Sequence, residues 1–78
     1  MMSLAVYERG VELERFLLAK PFVPFTIVME DGDRLEVLRS LACAFNEDVL
    51  YVRMPGRSVR TRMHKVVAIE PGVATTPN

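Results

Sequence analysis

The stretch KPFVPFTIVMEDGDRLEVLR, residues 20–39, decides the fold. It sets two Pro-Phe steps, Pro21-Phe22 and Pro24-Phe25, ahead of an alternating apolar run that breaks at Asp31-Gly32 and then resumes. Alternation with a break at Asp-Gly predicts a β-hairpin, with Phe25, Ile27 and Met29 on one face of the first strand and Leu35 and Val37 on one face of the second. Register follows from the loop length. A two-residue Asp31-Gly32 loop pairs Ile27 with Glu36 and carries a charge towards the core. A three-residue loop, Glu30-Asp31-Gly32, with Gly32 left-handed in a bulge, pairs Ile27 with Leu35 and Phe25 with Val37. The second register is the expectation. The prolines before it lack backbone donors and hold φ fixed, so PFVPF is a stiff connector anchored by Phe22 and Phe25.

Upstream, LAVYERGVELERFLLAK places Leu4, Tyr7, Val11 and Leu18 at helical spacing, with Leu13, Phe16 and Leu17 widening the stripe. This predicts a helix over about residues 4–19, stopped by Pro21. Gly10 weakens its middle, which leaves Val11 to Ala19 as the firmest part. The apolar stripe serves either to cap an open end of a small barrel or to meet a partner.

Downstream, SLACAFNED is short and apolar, and reads as a bent continuation of the second strand ending in an Asn-Glu-Asp turn. VLYVRM and SVRTRM form a second hairpin about Pro55-Gly56. Leu50, Val52 and Met54 share one face of its first strand, opposite Val49, Tyr51 and Arg53. Val59, Thr61 and Met63 share one face of its second, opposite Ser58, Arg60 and Arg62. A last strand follows from about Val66 to Ile69. The expected fold is mainly β (α+β): an N-terminal helix and a small five-stranded antiparallel barrel over about residues 25–70, with a frayed tail at 73–78.

A chain of 78 residues, half of them apolar and 26% charged, has room for one core and a modest one, so residues 1–78 form a single domain. The lone cysteine, Cys43, makes no internal disulfide, and reinforcement has to come from packing or association. MMSLAVYERG lacks the basic and long apolar stretches of a signal peptide, and no segment has the length to cross a bilayer. The expectation is a cytoplasmic protein.

Formal net charge is zero, yet Arg53, Arg57, Arg60, Arg62 and Lys65 carry half of the positive charge within residues 53–65, without an acidic residue among them. On the hairpin reading Tyr51, Arg53, Arg60 and Arg62 share the outward face. Guanidinium groups beside an aromatic ring suit phosphates and stacked bases, so these residues with Arg57, His64 and Lys65 are candidate contacts to single-stranded RNA. The competing reading is a solvated outer face, consistent with a pI of about 6.6. A third reading uses both signs of charge. Glu30, Asp31 and Asp33 crowd the first hairpin tip and would meet Arg60 and Arg62 of a neighbouring copy, making a homo-oligomer interface that also covers sheet edges.

Two resemblances can be placed on these residues. PFTIVMEDGDRLEV is similar to the first hairpin of the Sm-like barrels, and of the Hfq-type RNA chaperones among them. VRTRMHKVVAIEP is similar to their final strands, where a His precedes a short turn. The resemblance spans roughly residues 11–71 and implies a small barrel of Sm-like or SH3-like type, ring assembly and RNA contact by His64. It departs from the Hfq pattern at Met63, where that family has Lys, at Arg62, where it has an aromatic, and in the absence of any glutamine. The opening, a basic residue followed by PFVPF and later DG, also resembles a group of small bacterial proteins that brings no function with it.

Nothing in the chain reads as catalytic. His64 is the single histidine and no cysteine lies at ligand spacing from it, so no metal is expected. Cys43, between two alanines, reads as buried and inert, and no residue stands out to orient a Cys-His pair. Asp31 and Asp33 bracket a solvated turn rather than a cation site. The four glycines lie far apart, so there is no phosphate loop and no cofactor is expected. The sequence therefore predicts a non-enzymatic, self-associating interaction or scaffold module, with single-stranded RNA binding through the second hairpin as the alternative.

Overall fold

A computed structural model of the chain describes residues 3–73. Helix α1 spans Leu4–Leu18, and six strands follow: β1 Phe25–Met29, β2 Arg34–Val37, β3 Cys43–Phe45, β4 Val49–Met54, β5 Arg57–Arg62 and β6 Val66–Pro71. They form two three-stranded antiparallel sheets, ordered β2-β1-β6 and β3-β4-β5. The expected five strands are thus six among the described residues, and backbone pairing there does not close one sheet onto the other. The tail expected to fray lies, beyond Val73, outside the described residues.

The first hairpin has the bulged register. Ile27 pairs with Leu35 and Phe25 with Val37. The Gly32 N–H donates to the Met29 carbonyl at 2.9 Å, and Gly32 sits at φ +90°, where a side chain is strained. This loop keeps Phe25, Ile27, Leu35 and Val37 on the core side, all fully buried.

The larger departure lies at residues 38–43. A 3₁₀ turn, Ser40–Ala42, separates β2 from β3, and β3 pairs with β4 in the other sheet instead of prolonging β2. Period-2 alternation supplies the reason. A strand running straight from Val37 to Cys43 would set Arg39 and Leu41 on the same inward face. An unpaired guanidinium cannot be accommodated there at reasonable cost, so the chain turns outward and re-enters the core at Cys43.

Helix α1 docks by a different stripe from the one its outermost residues suggest. Leu13 is fully buried, and Val6, Phe16 and Leu17 pack beside it, whereas Leu4, Tyr7 and Leu18 are exposed. Gly10 belongs to the docked side: a Cβ placed there would meet the Phe45 ring at 3.4 Å. The helix runs unbroken through Gly10. It starts at an N-cap the sequence reading missed, where the Ser3 hydroxyl accepts from the Val6 N–H at 3.1 Å.

Phe16, Phe22 and Phe25 tie helix, connector and sheet together, with ring centroids 5.0 Å apart for Phe16–Phe25 and 6.0 Å for Phe22–Phe25. Among the described residues Thr26 is the buried polar one, and its hydroxyl donates to the Gly72 carbonyl at 2.8 Å. That bond removes the penalty of burying it.

Candidate functional site

The second hairpin presents the charge cluster. In the β4–β5 register, Tyr51 faces Arg60, Arg53 faces Ser58 and Val49 faces Arg62. Leu50 and Val52 take the inner face and are fully buried. Alternation then leaves Tyr51, Arg53, Arg60 and Arg62 together on the exposed face. Among the described residues none of these three arginines makes a salt bridge. Arg60, Arg62 and Lys65 also line a shallow cavity of about 350 Å³ with Val49 and Thr61. His64 and Lys65 lie exposed on the 3₁₀ turn Met63–Lys65 that follows β5.

Arg57 departs from the group. Its Nη2 donates to both carboxylate oxygens of Asp33 at 2.9 Å, joining the tips of the two hairpins within one chain. Asp33 is also held locally: its own N–H donates to Asp31 Oδ1, and its Oδ1 accepts from the Arg34 N–H, both at 2.9 Å. Glu30, Asp31 and Asp33 share a cavity of about 220 Å³ with Arg60 and Lys65 of the same chain. The acidic tip and the basic strand, which the sequence reading sets across a boundary between copies, are thus neighbours inside one molecule.

Cys43 is 8% exposed and pairs with Val52 across the sheet. Burial pushes its thiol up to about 11, so it is protonated at neutral pH and a poor nucleophile. Among the described residues no group of three or more His, Cys, Asp or Glu side chains could hold a metal ion, and no helix is long and apolar enough to cross a membrane.

Besides the Ser3 N-cap, two features escaped the sequence reading. One is the Asp33–Arg57 pair, whose partners stand 24 positions apart with no local signal. The other is the outward turn bearing Arg39 and Leu41, which was legible as a phase conflict between Arg39 and the apolar face of β2. No protein-family model matches the chain, and no curated protein matches it.

Proposed function

We propose that the chain is a helix-capped small barrel of Sm-like or SH3-like type that acts in the cytoplasm as a non-enzymatic interaction module and self-associates through its sheet edges. The observation that carries this reading is a pair of long edges. β5 and β6, six residues each, are the outermost strands of their sheets, and each has a single paired neighbour. An unpaired edge is a row of backbone donors and acceptors that templates further pairing. Because the two edges differ, joining β5 of one copy to β6 of the next is a head-to-tail contact, which closes into a ring when the rotation permits.

The barrel reading is supported by the chain path, in which β2 and β3 are contiguous through one short turn and link the two sheets in sequence order. The non-enzymatic reading rests on the two residues best able to do covalent work. Cys43 is held neutral by burial, and His64 lies exposed on the turn after β5, away from that thiol's buried position. Light scattering on the purified chain tests the assembly. A molar mass that is a multiple of 8.8 kDa supports it, and the mass of one chain at every concentration overturns it.

A second reading is favoured by the shared exposure of Tyr51, Arg53, Arg60 and Arg62. In it this face binds single-stranded RNA, with guanidinium groups on phosphates and a base stacked on Tyr51. Fluorescence anisotropy with an oligouridylate tests it. Binding that weakens with salt and with Arg60→Ala or Arg62→Ala supports this reading; the absence of binding at low salt excludes it.

A further inference from the structure

The surface where the first sheet hands the chain to the second is concave and apolar. Leu41 is 98% exposed at the outward turn and Leu38 is 37% exposed beside it. With Phe22 from the connector and Pro55 from the β4–β5 turn they wall an open groove of about 720 Å³. Single exposed leucines are ordinary, but several apolar side chains converging on one concavity mark a binding surface. The volume falls within the range of ligand clefts, roughly 300–1,000 Å³.

The charged side chains lining this groove are Arg39 and Arg53. Neither makes a salt bridge among the described residues, and no carboxylate lines the groove. We propose that it docks a peptide segment of another protein in which apolar side chains stand beside carboxylates. The apolar side chains cover Leu41 and Phe22, and the carboxylates meet the two guanidinium groups, whose planar donors suit them. A basic segment is repelled at the same rim.

A second copy of this chain fits the groove less well. Its acidic tip, Glu30-Asp31-Gly32-Asp33, has no apolar side chain to insert. The exposed side of α1 offers Leu4, Tyr7 and Leu18, but the helix mixes Glu8 and Glu14 with Arg9 and Arg15. This inference is independent of edge pairing, since the groove lies at the β2–β3 turn and not along β5 or β6.

The test is selection from a displayed library of random dodecapeptides on the intact chain, with Leu41→Ser and the double variant Arg39→Glu, Arg53→Glu as counter-baits. Leu41 holds nothing in the core, and circular dichroism verifies that the variants fold. Expected are peptides enriched in leucine or phenylalanine together with aspartate or glutamate. Synthetic copies should lose affinity about tenfold on Leu41→Ser and at least as much on the charge reversal. The proposal is overturned by failure to enrich, by basic selected peptides, or by selection indifferent to Leu41→Ser. A fall in the molar mass of an assembled wild type on Leu41→Ser would overturn it too, by assigning the groove to a second copy.

Discussion

Gly32 and Gly10 respond to the same substitution with opposite signs. Gly32 sits at φ +90° with nothing within 4 Å of an added Cβ, so the cost of Gly32→Ala is conformational and not steric. It should destabilise the fold by about 1–2 kcal/mol, read as a lower urea midpoint at unchanged slope. Gly10 lies inside α1, and its added Cβ would meet Phe45 at ordinary contact distance, 3.4 Å. There the helix-propensity gain dominates, and Gly10→Ala should raise stability by about 0.5–1 kcal/mol in the same assay. Cys43 gives a third residue-scale expectation. Its pKa is raised by burial from 9.0 to about 11, so the unfolded chain releases the proton first as pH rises. Stability from this group is intact below about pH 9 and declines towards pH 11. Native protein should accordingly resist iodoacetamide at neutral pH, whereas denatured protein is alkylated at once.

At the scale of elements, α1 is held by few side chains, and Leu13 is its one fully buried residue. Removing three carbons there takes away both the transfer term and the packing of the cavity left behind. Leu13→Ala should cost about 3 kcal/mol, a large share of a small domain's stability, again read from the urea midpoint. The hairpins were the most legible part of the sequence, because Asp31-Gly32 and Pro55-Gly56 mark turns and the alternation on either side permits one register. Residues 38–45 were less so, since the five apolar residues in a row after Ser40 have no period, and their one signal was the phase conflict at Arg39 that the 3₁₀ turn resolves. The docked face of α1 was blurred for a related reason: Leu4, Tyr7 and Leu18 have the right spacing but lie beyond the reach of the sheet. The basic face of β4–β5 followed directly from alternation, while the pairing of Arg57 with Asp33 depends on how two hairpins pack and has no sequence signal.

That pairing matters most for the molecule as a whole. Charge attraction between copies was one route to assembly, but Arg57 already engages Asp33 within the chain, and Glu30 and Asp31 lie beside Arg60 and Lys65 of the same molecule. Both partners of the Asp33–Arg57 pair are about half exposed, so its contribution to folding is small, roughly 0.2–1 kcal/mol, and screened by salt. On the edge-pairing proposal, an assembly of such chains is held by backbone pairing along β5 and β6, which salt does not screen. Its molar mass by light scattering should therefore stay constant as salt is raised from about 50 to 200 mM. RNA binding by the basic face would behave in the opposite way. Three phosphate contacts, from Arg53, Arg60 and Arg62, give a single-strand salt slope of about −2, and the same fourfold rise in salt should weaken an oligouridylate complex about twentyfold. Arg62→Ala should bring the slope closer to zero by about 0.7 while leaving the molar mass unchanged. A mass that fell with salt would return the assembly to charge attraction between hairpin tips, and a complex insensitive to salt would remove the arginine face from RNA recognition.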